Sequence, residues 1–135
     1  MQITLTAKGL DSKVELARVQ VDSDGRWRYS SRAVEQAEGR LSAADLAQFQ
    51  AFYDKVNWEL EVLNGPVTAD DRILFEMEVI HDEGDRRLYQ FTEDLAHRSW
   101  QFRDLVHFLR HNVAGAGDPV GYSPDRPGEH PPTPM

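Results

Sequence analysis

The segment Ile-Leu-Phe-Glu-Met-Glu-Val-Ile at residues 73–80 sets the fold class of this chain. Apolar residues occupy alternate positions, and Glu76 and Glu78 lie between them, which is the period of a strand with one buried and one wet face. Residues 81–85, His-Asp-Glu-Gly-Asp, are typical of a tight turn. Residues 87–92 then return as a second strand, so this part of the chain predicts an antiparallel hairpin.

The first thirty residues predict three more antiparallel strands. Residues 2–7 alternate polar and apolar side chains, which is a strand pattern rather than a secretion signal. Residues 14–21 form the second strand, and their apolar phase shifts by one residue, which a bulge near Ala17-Arg18 would accommodate. The turn Asp-Ser-Asp-Gly at 22–25 leads into the third strand, residues 26–30.

Two helices complete the predicted fold. Ser42 is an N-cap with Asp45 three residues later, so a helix is expected from about 43 to 56. Its core stripe at helical spacing consists of Leu46, Phe49, Phe52, Tyr53 and Val56, with Leu60 as a further candidate. A second helix begins after Thr92 or after Ser99. Its core stripe at helical spacing consists of Phe102, Leu105, Val106, Leu109 and Val113. The secondary structure of residues 31–40 is ambiguous from the sequence, and we consider a short helix near 33–37.

The order βββα then ββα predicts an α+β fold in which an antiparallel sheet of four or five strands carries both helices on one face. Residues 1–113 form this single domain, and residues 114–135, which hold six of the seven prolines, form a Pro/Gly-rich tail. The other face of the sheet should be exposed to solvent, and Arg and Glu side chains can pair across it where their strands adjoin. Its predicted members are Gln2, Thr4, Thr6, Arg26, Arg28, Glu76 and Glu78.

Composition excludes several classes of function. The net charge of −8 repels nucleic acid and anionic lipid at long range, and zero cysteines exclude disulfides and Cys-ligated zinc. No apolar run approaches the length of a membrane helix, so the expected location is the cytoplasm, with no membrane partner. Arginines outnumber lysines twelve to three, which we interpret as a sign of a bacterial source.

The last helix carries the sharpest candidate site. His107 and His111 lie one helical turn apart, and Asp104 lies on the same side, opposite the core stripe. Two imidazoles and a carboxylate can hold Zn²⁺ or Ni²⁺. The alternative is an ordinary solvated helix face. Phe108 stands where the zincin pattern H-E-x-x-H has its general base, so a bound metal would be structural or adventitious.

Trp58 and Trp100 are the candidate partner-binding residues. Trp58 lies in residues 56–63, a run too apolar for a free loop. We expect this run to add a strand or to cover the core or, alternatively, to form an exposed binding lip. The chain has no nucleophile elbow and no phosphate-binding glycine loop. We therefore expect no cofactor and no catalytic residue.

The order of elements over residues 1–113, in a small acidic chain, resembles the emfourin-like bacterial inhibitors of thermolysin-type metallopeptidases. The resemblance implies a cystatin-like helix-on-sheet fold and a non-catalytic binder. This chain lacks the N-terminal glycine pair expected of that family, and we assign no inhibitory residue from the resemblance. The leading hypothesis is a non-catalytic protein-binding or regulatory module. The alternatives are a metal-binding protein or metal-dependent enzyme using His107 and His111, and an inhibitor of a thermolysin-like metallopeptidase.

Overall fold

The computed structural model describes residues 1–31, 36–67, 71–93, 95 and 98–113. In chain order the elements are β1 (Gln2–Gly9), β2 (Glu15–Asp22), β3 (Arg26–Ser31), β4 (Ala37–Arg40), α1 (Ala43–Lys55), β5 (Ile73–Ile80), β6 (Arg86–Thr92) and α2 (Trp100–Phe108). A π-helical turn, Leu109–Val113, continues α2. The predicted tail, residues 114–135, lies outside the described residues.

The strands form one antiparallel sheet in the order β4-β3-β2-β1-β5-β6. β1 lies inside the sheet, because β2 pairs with one of its edges and β5 with the other. Leu5 is opposite Val19 on one side and Met77 on the other, so the three apolar side chains share one face. The α+β class and the antiparallel sheet are therefore confirmed.

The number of strands was predicted wrongly. The sheet has six strands rather than four or five, because Ala37–Arg40 pairs with β3 as strand β4. The short helix considered near 33–37 is contradicted at Ala37, which lies in β4, and its residues 33–35 lie outside the described part. Gly39 permits the pairing, since a Cβ there would come within 2.6 Å of the Trp27 ring. The order is thus ββββα then ββα.

The structure also differs from two more detailed predictions. The predicted bulge lies slightly earlier in β2, because Ala7 pairs with Ala17 and Lys8 with Glu15, leaving Leu16 as the extra residue. The expected Arg–Glu pairing between Arg26 or Arg28 and the glutamates of β5 does not occur, because β2 and β1 separate β3 from β5. The acidic side chains of β5 instead pair with nearer bases, Glu76 with Lys8 at 2.6 Å and Glu78 with Arg86 at 3.3 Å.

Both helices begin at serine caps. The Ser42 hydroxyl accepts a hydrogen bond from the Asp45 backbone N–H at 3.1 Å, and Ser99 accepts one from the Phe102 N–H at 3.1 Å. These caps satisfy backbone donors that have no partner within the helix. The first helix is confirmed, and of the two starts considered for the second, the one after Ser99 is confirmed.

One hydrophobic cluster joins the sheet to both helices. Within it, the Phe49 ring of α1 stacks on Phe108 of α2 with centroids 5.9 Å apart. Phe102 meets Phe91 of β6 edge-to-face at 5.3 Å. All five residues of the predicted α2 stripe are buried. In the described part of the chain, neither helix has the length and apolarity that a transmembrane segment requires.

Candidate functional site

A hollow of about 560 Å³ opens where the C-terminal end of α1 meets the loop between β5 and β6. We call it the Trp58 hollow, because Trp58 lies on its floor between these two elements. Residues 53–59 form one wall, and His81, Asp82, Glu83, Asp85 and Arg87 form the other. The two walls meet through Tyr53 of α1 and His81 of the β5–β6 loop, whose ring centroids are 5.7 Å apart.

Trp58 lies at the junction of several aromatic rings. Its ring centroid is 5.4 Å from those of Tyr53, His81 and Tyr89. On the core side it meets Phe102 edge-to-face at 6.1 Å. Trp58 is partly buried and packs against the core, whereas Leu60, Val62 and Leu63 of the same run are exposed. Trp58 also lines the hollow.

Tyr53 and His81 form a polar pair beside Trp58. The Tyr53 hydroxyl is hydrogen-bonded to Nδ1 of His81. Burial raises the pKa of Tyr53 to about 12, and the negative charges of Asp82 and Asp54 add to the rise. The phenol therefore keeps its proton at neutral pH. It provides a hydrogen-bonding group rather than a base or a nucleophile.

Raising the pH from about 10 to about 12 is expected to lower the free energy of unfolding through Tyr53. The unfolded chain releases this proton near the usual value of 10.0, whereas the folded protein holds it until its pKa of about 12. The unfolded state thus binds fewer protons in this range, and stability falls as pH rises. Urea unfolding at several pH values measures the slope, and Tyr53→Phe should flatten it. Equal slopes in the two proteins would contradict the prediction.

The rim of the hollow is acidic. Five carboxylates line it, against two basic side chains. The five are Asp54, Glu59, Asp82, Glu83 and Asp85, all exposed. Two of the five are already paired, Asp85 with Arg87 at 3.2 Å and Asp82 with the N-terminal ammonium of Met1. The hollow therefore attracts cations, and its aromatic floor offers ring faces to them.

A buried arginine holds the segment that carries Trp58. Arg98 pairs with Glu61 at 3.5 Å, and both side chains are almost fully buried. The same guanidinium donates hydrogen bonds to the carbonyl oxygens of Val62 and, at 2.8 Å, Gln90. Residues 63–65 also exchange backbone hydrogen bonds with Gln90 of β6. These contacts position the segment along the edge of the sheet, and we call them the Arg98 clasp.

Aliphatic side chains are exposed next to Trp58. Leu60 is 76% exposed, Val62 52% and Leu63 48%. They follow Trp58 within a segment whose other side is held by the Arg98 clasp. Grouped apolar side chains at the rim of an otherwise polar surface are typical of protein-binding sites.

The predicted metal ligands come close to one another. The His107 and His111 rings have centroids 6.0 Å apart, and both residues are partly buried, as is Asp104. His111 lies in the π-helical turn rather than in a regular α-helical one, which changes the one-turn geometry expected for the pair. Within the described residues no group of three potential ligands has metal-binding geometry. The metal site stays a prediction.

The two candidate tryptophans have different surroundings. Trp58 lies in the hollow, whereas Trp100 is the first residue of α2 and is partly buried with the Arg103 guanidinium 4.8 Å from its ring centroid. The sequence interpretation missed Tyr53 as a site residue, because its spacing marks it only as part of the core stripe of α1. It also interpreted His81 as a turn residue. The available signal was the cluster of His81 with the three carboxylates of Asp82, Glu83 and Asp85.

In comparisons with known proteins, no family model matches the chain, and no curated protein matches it significantly. The resemblance to emfourin-like inhibitors therefore stays a prediction.

Proposed function

We propose that this chain is a non-catalytic protein-binding module of a bacterial cytoplasm, and that its partner presents a basic side chain to the Trp58 hollow. One observation carries the proposal. A partly exposed tryptophan lies on the floor of a hollow that five carboxylates line. An arginine or lysine of the partner would stack on the ring and pair with the rim.

The chemistry of the hollow supports binding rather than catalysis. Tyr53 is protonated at neutral pH, as an ordinary tyrosine is, and burial raises its pKa further, to about 12. A protonated phenol and an indole ring provide hydrogen bonding and ring contacts, without a nucleophile. The exposed side chains of Leu60 and Val62 extend the contact surface beyond the hollow itself. An aromatic anchor with an apolar border is the usual composition of an interface hot spot.

Glu59→Lys is expected to reduce partner binding about tenfold or more, because it replaces a rim carboxylate by a competing ammonium. Asp11→Lys is the matched control, since Asp11 is an exposed carboxylate in the turn between β1 and β2. Both proteins are immobilised, and the partner captured from the host lysate is quantified by mass spectrometry. Equal capture by Glu59→Lys and Asp11→Lys would contradict the proposal.

A direct measurement identifies the contact residue. The indole N–H signals of Trp27, Trp58 and Trp100 are followed by NMR while an arginine-rich peptide is added, with Trp58→Phe providing the assignment. We expect the Trp58 signal to shift, and a glutamate-rich peptide to leave it unchanged. A shift confined to Trp27 or Trp100 would place binding elsewhere and reject the Trp58 hollow.

A further inference from the structure

A second hollow, of about 620 Å³, lies on strands β2, β3 and β4. Three of its lining residues are arginines, Arg26, Arg28 and Arg40, and two are acidic, Asp22 and Glu38. We call it the arginine hollow. It is basic on a chain whose net charge is −8. Because β4 and β6 are at opposite edges of the six-stranded sheet, it lies on the order of 20 Å from the Trp58 hollow.

Two of these arginines are placed against each other. Arg26 of β3 is directly opposite Arg40 of β4. Like charges at opposed positions of a strand pair repel, so this arrangement costs stability unless an anion lies between them. Among the described residues, neither guanidinium has an acidic group within ion-pair distance. The nearby Asp22 carboxylate instead accepts backbone N–H groups of Asp24 and Arg26.

The third arginine is only loosely held. Arg28 is 3.9 Å from Glu38, and both side chains are about two-thirds exposed. An exposed pair at this distance contributes little to stability. Its guanidinium is thus available to a second carboxylate. A guanidinium group binds a carboxylate through two parallel hydrogen bonds, which favours arginine wherever carboxylates are recognised.

Strand β4 adds a second recognition element. It is the last strand of the sheet, and in the described part of the chain it pairs only with β3. Its outer edge therefore presents backbone donors and acceptors to an incoming extended segment. Because side chains alternate along a strand, every second residue of that segment would lie on the face that carries Arg40.

We propose that β4 and the arginine hollow bind an extended acidic peptide segment of another protein, with carboxylates at alternate positions meeting Arg26, Arg28 and Arg40. The added strand supplies main-chain hydrogen bonds, and the carboxylates relieve the repulsion between Arg26 and Arg40. A peptide fits better than nucleic acid, because a net charge of −8 repels a long phosphate backbone, whereas a short segment places few charges near the acidic surface. The proposal uses a different edge from the proposed function and stands independently of it.

The test uses a fluorescent decapeptide of alternating glutamate and valine, followed by fluorescence anisotropy. Arg26→Ser/Arg40→Ser is expected to weaken its binding about tenfold or more, because both guanidinium partners are lost. This variant should fold, since both positions are exposed and the change removes a repulsion. Arg72→Ser/Arg86→Ser, at exposed positions beside β5 and in β6, is the matched control and should bind within about twofold of the wild type.

Three further ligands test strand addition, the preference for acidic peptides and the alternative of nucleic-acid binding. The same peptide with N-methyl groups on its edge-facing amides should bind more weakly if it adds to β4, and equal binding would refute strand addition. An alternating lysine and valine peptide should bind Arg26→Ser/Arg40→Ser as tightly as the wild type, because any contact that it makes with the Trp58 hollow does not involve these arginines. A single-stranded oligonucleotide that binds as tightly as the peptide, and loses binding in Arg26→Ser/Arg40→Ser, would assign the hollow to nucleic acid and overturn the proposal. No binding of the acidic peptide to the wild type would overturn it as well.

Discussion

Arg98→Met is expected to lower the free energy of unfolding by about 3 to 5 kcal/mol, the cost of removing one partner from a buried ion pair. The Glu61 carboxylate is 7% exposed, so it would be left buried without its cation. The carbonyl oxygens of Val62 and Gln90 would also lose a donor. Urea unfolding followed by far-UV circular dichroism gives the measurement.

The physical reason is the environment of this guanidinium. It lies 4.6 Å from the Phe102 ring centroid and 5.5 Å from that of Phe91, among the core aromatics of β6 and α2. Burial lowers the pKa of Arg98, and the nearby Glu61 carboxylate opposes this effect. Methionine fills similar space without a charge, so the cost comes mainly from the carboxylate that remains.

A second variant separates charge from packing. Glu61→Gln combined with Arg98→Met removes both charges and should recover a large part of the lost stability. Arg28→Met is the control, because its pair with Glu38 is exposed and spans 3.9 Å, and it should change stability by less than about 0.5 kcal/mol. If Arg98→Met proved as harmless as Arg28→Met, the Arg98 clasp would not be a stabilising contact.

The clasp also connects stability to the proposed function. It lies within the segment that carries Trp58, and Glu61 follows Trp58 by three residues. In Arg98→Met molecules that remain folded, we therefore expect this segment to detach more easily from β6 and the Trp58 fluorescence to move toward that of an exposed indole. A structural role confined to the core would leave that emission unchanged.

Phe108→Ala is the second variant with a large expected effect. It should lower the free energy of unfolding by about 3 to 5 kcal/mol, as for other buried phenylalanines. Phe108 has no exposed surface and lies between the two helices. Its ring stacks on Phe49 at 5.9 Å and meets Phe52 at 5.8 Å. Removing it leaves a cavity between α1 and α2, which the backbone of neither helix can close without moving.

Leu60→Ala is the matched control for Phe108→Ala. Leu60 is 76% exposed, so its truncation should change the free energy of unfolding by less than about 0.5 kcal/mol. Phe49→Ala together with Phe108→Ala should cost less than the sum of the two single changes, because each ring loses the same partner. Strict additivity would show that the stacked pair is not energetically coupled.

Local patterns in the sequence were sufficient for much of the fold. The alternation at residues 73–80 predicted β5, and Ser42 with Asp45 predicted the start of α1. Such signals work because a strand or a helix cap depends on residues within a few positions of one another. Strand β4 was missed because its four residues are mostly exposed and their pairing depends on the free edge of β3.

Phe108 shows that a local sequence pattern does not identify the element that buries a residue. Its position in the histidine motif showed only that the general base is missing, and the structure shows Phe108 fully buried against α1. The helical period places a residue on one side of α2, but it does not say that α1 covers that side. The same limit applied to Tyr53, which was assigned to the core stripe of α1 without its contact to His81.

The chain's own periodicity, caps and charge were enough for the α+β class, both helices and the acidic surface. The two hollows arose only from the assembled fold, which joins Tyr53 to His81 across 28 positions and sets Arg26 opposite Arg40. The reason is that hydrophobic periodicity reports which side of an element is buried and carries no information about the partner that buries it. That partner is selected by packing and strand pairing between distant segments.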